Sequence, residues 1–373
     1  MRIWGITGTN GKTTVTWILS EFLKSAYVTT VEVNTLSRRF STGYTTPPLE
    51  TLKSIFAEME SSGADDCVME VSSHAIAQCR TGDTVFAGGA FTNLSEDHLD
   101  YHKTMEEYFR VKLLFAERIA NSYRAMPTDG RRDMPPFVVC LDGGYANEML
   151  EAVGKLALNV IPVTRMRPRY DLSELQLVGD YNQSNVLVAA ALAEAAGVSS
   201  DEIQKIIPTL QPRWGRLEYV KSHSLANVYV DFAHTPDGLE KVLNATRGFA
   251  KGRVWVVFGA GGERDRAKRP MMGAIARELA DEIVITSDNP RGEDADSIIA
   301  SIEQGALTCL NPRSDIACVR KITDRAAAIE FALKNAQRGD VVLVCGKGHE
   351  TTQEIKGVKY PFDDRVVVGN FRT

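Results

Sequence analysis

The first residues that could do chemistry form a glycine-rich turn between an apolar segment and a helix-like one. In the run RIWGITGTNGKTT, Gly8 and Gly11 are followed at once by Lys12 and Thr13. Glycines let backbone N–H groups approach phosphate oxygens, a lysine adds a point charge, and a threonine hydroxyl can bind Mg²⁺. Ile6 stands at the first glycine position of the strict phosphate-loop pattern, so the alternative is a glycine turn without a ligand.

Two further polar clusters follow apolar segments in the first half of the chain. MEVSSHAIAQCR places Glu70 at the end of a predicted strand, where the carboxylate either faces bound phosphates or is simply solvated. FTNLSEDHLDYH contains two histidines and two aspartates, beginning with Asp97 and His98, which form either a metal site or a polar loop. Lys112 follows within an amphipathic helix, and taken alone it would be a helix-surface residue.

The second half repeats the arrangement of a strand followed by a polar loop. DFAHTPDG contains His234, which either stacks on a base or caps a turn. GAGGERDRAKRPMMG, SDNPRGED and CGKGHETTQ also follow apolar runs. Ligand-binding loops of open α/β sheets lie at these strand ends, so the three loops are candidate binding segments.

These loops require parallel strands that alternate with helices. The predicted strands are 2–7, 27–33, 66–71, 137–141, 227–232, 253–259, 282–286 and 340–346, and the predicted helices include 13–25, 104–119, 185–196 and 323–336. Continuous apolar strands separated by helices are typical of parallel sheets covered on both faces. We therefore predict an α/β chain with two domains, 1–211 and 212–373, and a surface loop over 124–136.

Composition excludes several classes of protein. The 373 residues include 43 Lys and Arg against 48 Asp and Glu, a net charge of −5 that disfavours nucleic acid or an anionic membrane as partner. The 6 cysteines form no C-x-x-C pair, which disfavours a disulfide framework and favours a cytoplasmic protein. No apolar stretch approaches the length of a membrane span.

Taken together and in order, the motifs resemble those of the Mur ligases. The resemblance extends over nearly the whole chain through TGTNGKTT, MEVSSHAIAQCR, FTNLSEDHLDYH, YFRVKLLFA, DFAHTPDG, KRPMMGAIA, SDNPRGE, GKGHE and PFDDR. It implies a P-loop-type, parallel-sheet ATPase domain followed by a Rossmann-like α/β C-terminal domain. It also implies that ATP phosphorylates a carboxylate to an acyl phosphate, which an amine then attacks to give an amide, ADP and phosphate.

The same resemblance assigns expected roles to individual residues, with ATP and Mg²⁺ as cofactors. The ATP-binding residues would be Gly8, Thr9, Asn10, Gly11, Lys12, Thr13, Thr14, Asn182 and His234. Thr13 and Glu70 would bind one Mg²⁺, and His98 a second one together with a carbamate on Lys112; Lys12, Glu70, His98 and Lys112 would be catalytic. A carbamate converts a cation that repels metal into an anion that binds it. Thr45, Thr46, Ser72, Gln78 and Arg80 would hold the peptidyl acceptor.

The D-N-P-R loop indicates the incoming amino acid. Within the family, such a loop resembles that of enzymes which add meso-diaminopimelate, whose far end carries a carboxylate that the Arg291 guanidinium can bind with two hydrogen bonds. Lysine would offer that arginine no partner and would be repelled. Arg269, Asp288, Asn289, Pro290, Gly346 and Glu350 also match positions that contact this amino acid, and Glu350 suits an ammonium group.

Two features depart from the family pattern. Full-length relatives carry a small uridine-binding domain before the ATPase, whereas here the first strand begins at Arg2; Tyr44 also replaces an asparagine common in relatives. The acceptor then lacks uridine, or another chain supplies the domain, or the chain is shortened. We expect a cytoplasmic monomer acting on small molecules in cell-wall synthesis. The alternatives are a Mur-like ligase for a free peptide or specialised metabolite, and a non-catalytic ATP-binding protein.

Overall fold

The computed structural model describes residues 1–125, 133–313, 315 and 318–372. These residues form two compact units. The first comprises Met1–Ser95 and Tyr101–Leu210, and the second comprises Glu96–Asp100 and Gln211–Thr373. The short segment Glu96–Asp100 therefore groups with the C-terminal half of the chain, which nothing in its sequence indicates.

The first unit contains an eight-stranded sheet in the order β4-β3-β2-β5-β1-β6-β7-β8. Its strands are β1 (Arg2–Thr7), β2 (Ala26–Val28), β3 (Val33–Asn34), β4 (Arg39–Phe40), β5 (Asp66–Glu70), β6 (Gly88–Phe91), β7 (Pro136–Cys140) and β8 (Asn159–Val163). The six adjacent strands β2, β5, β1, β6, β7 and β8 pair in parallel. At one edge of the sheet, β3 pairs antiparallel with β2, and β4 pairs antiparallel with β3. Every residue of β5 is buried, as expected of a strand covered on both faces.

Helices cover the sheet of the first unit. In chain order the helices of this half are α1 (Lys12–Leu23), α2 (Leu49–Ser61), α3 (Ser73–Ala77), α4 (Leu99–His102), α5 (Met105–Ala125), α6 (Ala146–Val153), α7 (Asp180–Ala195) and α8 (Ser200–Ile206), with a 3₁₀ turn at Ile207–Thr209. The core contains aliphatic and aromatic side chains such as Ile55, Phe91, Phe115 and Phe137. Their burial is the dominant favourable contribution to folding.

The second unit contains a six-stranded sheet in the order β13-β12-β11-β14-β10-β9 and a separate hairpin. The strands are β9 (Glu218–Tyr219), β10 (Asn227–Asp231), β11 (Val254–Phe258), β12 (Glu282–Ile285), β13 (Val319–Lys321) and β14 (Val341–Cys345), with β15 (Thr352–Ile355) and β16 (Val358–Pro361) in the hairpin. The helices are α9 (Pro236–Phe249), α10 (Lys268–Leu279), α11 (Ala295–Leu307), α12 (Arg325–Asn335) and α13 (Asp364–Asn370). Only the β9–β10 pair of the larger sheet is antiparallel.

Several helices begin at side chains that cap them. Ser199, Thr235, Asp294 and Asp324 each accept a hydrogen bond from a backbone N–H in the first turn of α8, α9, α11 and α12. Such caps contribute about 1 kcal/mol each. By contrast, α1 begins after Gly11, and no side chain of the described structure caps its N-terminus.

Two predicted segments need comment. The strand predicted at 27–33 is wrong as a continuous element, because β2 ends at Val28 and β3 begins at Val33. The hydroxyl of Thr29 accepts hydrogen bonds from the N–H groups of Val31 and Glu32, and this local turn reverses the chain. Most of the loop predicted at 124–136 lies outside the described residues. Among the described residues, no helix combines the length and apolar character that crossing a membrane requires.

A buried ion pair joins three segments of the second unit. Both side chains of Arg325 and Asp364 are 0% exposed, and two hydrogen bonds of 2.8 and 2.7 Å connect them. The guanidinium also donates to the carbonyl oxygens of Cys345, at 2.9 Å, and Ser287, at 3.3 Å. Burial would lower the pKa of Arg325, but the Asp364 carboxylate raises it above its usual value. Arg325 therefore fixes the chain just beyond β12 and β14.

Asp364→Asn should destabilise the second unit strongly, because it leaves a guanidinium buried without its counter-charge. The expected loss is about 3–5 kcal/mol in the free energy of unfolding, measured by urea denaturation. The matched control is Glu303→Gln, which breaks a more exposed pair with Lys321 and should cost about 1 kcal/mol or less. Equal losses in the two variants would contradict the assignment.

Candidate active site

The glycine turn of the first unit lies between β1 and α1 and has little room for side chains. Gly8 has φ 147° and Gly11 has φ 86°, and both values favour glycine. A Cβ on Gly8 would lie 1.9 Å from the Thr92 hydroxyl oxygen, and one on Gly11 would lie 2.5 Å from the Asn185 side-chain oxygen. Both glycines are therefore required by conformation and by close packing.

The segment after β6 supports this turn. The Thr92 hydroxyl donates to the carbonyl oxygen of Asn10 at 2.7 Å, and the Asn93 side chain bonds both the N–H and the carbonyl of Asn10. The N–H of Thr9 donates to the Asn93 carbonyl, and the hydroxyl oxygen of Thr9 accepts from the N–H of Ser95. Thr92 and Asn93 had no predicted role, and the strand before them, β6, was not among the predicted strands.

Two ammonium groups meet the carbonyl oxygen of Gly8. Lys12, with Thr13 and Thr14, forms the first turn of α1, and its Nζ donates to the carbonyls of Gly8 at 2.9 Å and Thr9 at 2.8 Å. The Nζ of Lys112 donates to the same Gly8 oxygen at 2.8 Å.

The environment of Lys112 corrects its interpretation as a surface residue. Lys112 is 1% exposed, and its Nζ lies 4.5 Å from the centre of the Tyr108 ring. A lysine buried in this way at a phosphate-binding turn has a local role.

Glu70 ends β5 beside the glycine turn, because β1 and β5 are paired in parallel with Ile6 opposite Glu70. It is 1% exposed, and its two carboxylate oxygens accept hydrogen bonds from the N–H and the hydroxyl of Thr30, at 2.8 and 3.2 Å. Thr13 is also buried, at 4% exposed. A carboxylate and a hydroxyl near a phosphate site are hard oxygen donors of the kind Mg²⁺ prefers.

The donor set decides which metal chemistry is consistent with the chain. Among the described residues, no group of three or more His, Cys, Asp or Glu side chains could hold a metal ion. A protein cage for Ca²⁺ or Zn²⁺ therefore receives no support from these residues. Mg²⁺ fits better, because it keeps several waters and takes one or two protein oxygens together with substrate phosphates.

The predicted acceptor-side residues lie in one connected network. The hydroxyl of Thr45 hydrogen-bonds the hydroxyl of Thr30, whose backbone N–H donates to Glu70. The Thr46 hydroxyl donates to the Glu70 carbonyl at 2.8 Å and accepts from the N–H of Ser72 at 3.0 Å.

The basic end of this network is Arg80. Its guanidinium donates to the Thr46 carbonyl at 3.2 Å and to the Gln78 side chain at 2.9 Å, and it lies over the Tyr44 ring at 5.4 Å. Arg80 is partly exposed and Gln78 fully so. The network therefore presents a cation and an amide to solvent.

Asn182, predicted to contact the adenine, is almost buried in α7. Its Nδ2 donates to the Val178 carbonyl at 2.8 Å, and its Oδ1 accepts from Asn185, the residue that a Cβ on Gly11 would strike. Both ends of the amide thus have protein partners. Contact with a base stays a prediction, and the observed role is support of the glycine turn through Asn185.

In the second unit, Asp97 and His98 lie near His234 and Lys268. Burial would raise the pKa of Asp97, but neighbouring positive charges, from His98 and His234 when they are protonated and from Lys268, lower it to about 2. Burial first, and then the Lys268 charge, lowers the pKa of His234. His234 is therefore neutral at neutral pH; its Nδ1 donates to the Phe232 carbonyl at 2.9 Å, which leaves Nε2 as an acceptor.

The Phe232 ring is surrounded by three charged or polar side chains. The rings of His234 and His349 lie 4.6 and 4.9 Å from it, and the Arg216 guanidinium lies 4.6 Å from its centre. Burial, and then the Arg216 charge, lowers the pKa of His349 to about 3. Arg216 lies just after the domain boundary predicted between 211 and 212 and had no predicted role, so it is a missed candidate.

The D-N-P-R loop of the second unit packs against the loop after β11, which contains Gly262, and against the loop after β14, which contains Gly346. A Cβ on Gly262 would lie 1.9 Å from the Pro290 carbonyl oxygen, and one on Gly346 would lie 2.4 Å from the Asp288 Oδ2. That Asp288 oxygen is buried, and no described residue donates a hydrogen bond to it.

Arg291 itself is held from two sides. Its φ is 51°, its Nη1 donates to the Gly262 carbonyl at 2.6 Å, and its Nε lies 3.6 Å from a carboxylate oxygen of Glu354. Its backbone N–H donates to the Glu354 carbonyl. The Arg291 side chain remains 21% exposed.

Asn289 and Glu350, predicted to contact the amino acid, bond each other. The Nδ2 of Asn289 donates to the Glu350 Oε2 at 2.8 Å. Arg269 differs, because it is 3% exposed and its guanidinium donates to both carboxylate oxygens of Glu293. Contact between Arg269 and an amino acid stays a prediction. Arg264 is exposed, and a Cβ on Gly261 would lie close to the side chains of both Arg264 and Arg291.

Comparison with known proteins gives consistent matches over both units. The family model "Mur ligase middle domain" matches residues 6–193, and the model "Mur ligase, glutamate ligase domain" matches residues 215–348. The UDP-N-acetylmuramoyl-L-alanyl-D-glutamate--2,6-diaminopimelate ligase of Cytophaga hutchinsonii is 39% identical over 99% of this chain and 77% of its own length. The protein of that name from Bacillus velezensis is 37% identical over 99% of this chain and 78% of its own length.

Solved structures agree with these sequence matches. A structure of a UDP-N-acetylmuramoyl-L-alanyl-D-glutamate--2,6-diaminopimelate ligase covers 99% of this chain and 77% of its own, with 31% identity and a TM-score of 0.60. A Yersinia pestis folylpolyglutamate synthase/dihydrofolate synthase complexed with AMPPNP and Mn ion covers 93% of this chain and 86% of its own, with 17% identity and a TM-score of 0.63. The second likeness shows the fold alone.

Gly11→Ala should impair the use of ATP more than backbone strain alone would. Its matched control is Gly63→Ala, because Gly63 has a similar φ of 80° but no atom within 4 Å of an added Cβ. Both variants carry the strain of a left-handed residue, about 1–2 kcal/mol. Only Gly11→Ala displaces Asn185, so kcat/KM for ATP should fall about tenfold or more in that variant alone. Equal kinetics in the two variants would contradict the packing argument.

Proposed function

This chain belongs to the Mur ligase family and is an ATP-dependent, amide-bond-forming ligase, and from that membership we propose its substrates. The acceptor is UDP-N-acetylmuramoyl-L-alanyl-D-glutamate and the amine donor is meso-diaminopimelate. The observation that carries this proposal is the 37–39% identity, over 99% of the chain, to relatives named for that reaction. The alternative of an unrelated metabolite as acceptor receives no comparable support.

The proposed reaction passes through an acyl phosphate. A carboxylate oxygen of the acceptor attacks the γ-phosphorus of ATP, and the bond to the β-phosphate oxygen breaks to release ADP. The free amine of the donor then attacks the acyl carbon, and phosphate leaves with the former carboxylate oxygen. The amine loses a proton, and an amide remains. Catalysis of such transfers consists mainly of positioning and of stabilising negative charge.

The phosphate end of ATP is assigned to the glycine turn. The N–H groups around Gly8 and Gly11 would bind phosphate oxygens, and Lys12 would exchange its two carbonyl partners for the β- and γ-phosphates. This exchange is plausible electrostatically, because a phosphate oxygen attracts an ammonium more strongly than a neutral carbonyl does. His234, whose Nε2 accepts hydrogen bonds, is suited to an amino group such as that of adenine.

Mg²⁺ is proposed at the hard oxygen donors of the same edge. Thr13 and Glu70 would hold it beside the phosphates, and a carbamate on Lys112 would offer a second ion an anionic ligand. Bound Mg²⁺ would supply neutralisation of phosphate charge. A carbamate forms when the neutral Nζ of Lys112 attacks carbon dioxide and loses a proton, and the nearby Gly8 carbonyl could accept an N–H of the product.

Acceptor and donor are assigned to the two polar networks. The network of Thr45, Thr46, Ser72, Gln78 and Arg80 would hold the acceptor, with Arg80 facing an anionic group. The D-N-P-R loop and the loop after β14 would hold meso-diaminopimelate. A UDP-linked acceptor, ATP and six free cysteines are all consistent with the cytoplasm.

Lys12→Ala should lower kcat for phosphate release about 100-fold or more, because the variant lacks the cation that balances charge on the transferred phosphoryl group. The fold should survive, since Lys12 is only partly buried. The matched control, Lys53→Ala, removes an exposed lysine from α2 and should leave turnover unchanged. Unchanged phosphate release in Lys12→Ala, with thermal unfolding like wild type, would overturn the assignment.

Arg291→Ala separates the candidate amine donors. Loss of a charge-assisted pair costs about 1.5–3 kcal/mol, so kcat/KM for meso-diaminopimelate should fall about ten- to a few-hundred-fold. Turnover of lysine should stay poor or rise, because a repulsive charge is removed. The assay is ATP-dependent phosphate release across a panel of amino acids, with exposed Arg338→Ala as control. If wild type prefers lysine, or Arg291→Ala slows every donor equally, the substrate assignment is wrong.

A further inference from the structure

A fully buried lysine lies between two of the residues proposed to contact the amine donor. Lys347 follows β14 directly, and its side chain is 0% exposed. Its Nζ donates to the Asn289 Oδ1 at 3.1 Å and to the Glu350 Oε2 at 2.9 Å. It is the second residue of the GKGHE motif and is not among the residues predicted to bind a substrate.

The lysine determines which way the Asn289 amide points. The Oδ1 of Asn289 accepts from the Lys347 ammonium and, at 2.9 Å, from the backbone N–H of Glu354. Both partners can only donate, so the atom facing them must be the oxygen. The amide nitrogen of Asn289 is thereby directed to Glu350, at 2.8 Å, and retains a second N–H.

The lysine also fixes the Glu350 carboxylate. Oε2 accepts from both Lys347 and Asn289, so the orientation of this group is fixed. Among the described residues no donor contacts Oε1, and the Glu350 side chain is 33% exposed. A ligand can therefore reach an acceptor on Glu350, while Asn289 offers a donor.

We propose that Lys347 is a positioning residue that fixes the polarity of the amine-donor pocket. It holds Asn289 as a hydrogen-bond donor toward a carboxylate and Glu350 as an acceptor toward an ammonium. The pocket then selects an amine donor whose far end carries both charges over one that carries only an ammonium or only a carboxylate. This inference rests on the proposed function, because it concerns the same amino-acid site.

The burial of Lys347 has a physical reason in this arrangement. An ammonium removed from water is costly unless it is paired and hydrogen-bonded. Here it has a carboxylate and an amide oxygen as partners, both belonging to proposed ligand-binding side chains.

The test uses the full chain and three amine donors: meso-diaminopimelate with both far-end charges, lysine with only the ammonium, and 2-aminopimelate with only the carboxylate. Lys347→Met removes the ammonium and keeps much of the apolar stem. We expect KM for meso-diaminopimelate to rise about tenfold or more, kcat and KM for ATP to change little, and the preference over lysine and 2-aminopimelate to shrink by a similar factor. Lys334→Met, at an exposed position on α12, is the control.

Asn289→Asp keeps the inference testable if Lys347→Met does not fold. It retains an oxygen for Lys347 and for the Glu354 N–H but replaces the outward donor by an acceptor. KM for meso-diaminopimelate should rise and KM for lysine should fall. A Lys347→Met enzyme that loses kcat equally with all donors at unchanged KM, or an Asn289→Asp enzyme with wild-type preference, would overturn the role of Lys347. A wild-type enzyme that does not prefer meso-diaminopimelate would instead overturn the proposed substrate.

Discussion

Both units depend on parallel strands whose carboxyl ends lie at one edge of a sheet. In the first unit this register puts Glu70, at the end of β5, beside the turn that follows β1. In the second it puts the loops after β11, β12 and β14 together, because these strands are adjacent in the sheet. The side chains with chemical roles come from distant parts of the sequence, and the strand pairing makes them neighbours.

Buried cations then fix the loops at these strand ends. Lys112 donates to the Gly8 carbonyl in the first unit, while Arg325 and Lys347 hold the loops after β12 and β14 in the second. Each donates to carbonyl, amide or carboxylate oxygens that belong to a binding loop or begin one. A buried cation is costly without such acceptors. Movement of a loop would remove the acceptors and leave the cation buried and unpaired, which opposes the movement. The binding loops are therefore held in place before any ligand arrives.

The sequence predicted a large part of this arrangement from local patterns. Apolar runs located most of the central strands, and glycine spacing located the turn between β1 and α1, because both signals depend on neighbouring residues. The burial of Lys112 could not be predicted, since an amphipathic helix does not reveal which polar side chain faces a distant carbonyl. The pairing of Arg269 with Glu293 and the grouping of Glu96–Asp100 with the second unit also depend on residues far apart in the chain.

In the proposed reaction, phosphate leaves with an oxygen from the acceptor carboxylate. Labelling the glutamyl carboxylates of the acceptor with oxygen-18, and following the label during turnover with ATP and meso-diaminopimelate, tests this step directly. Each phosphate released should carry one labelled oxygen, and ADP and amide should form in equal amounts. Phosphate without the label, or ATP hydrolysis that does not depend on the acceptor, would contradict it.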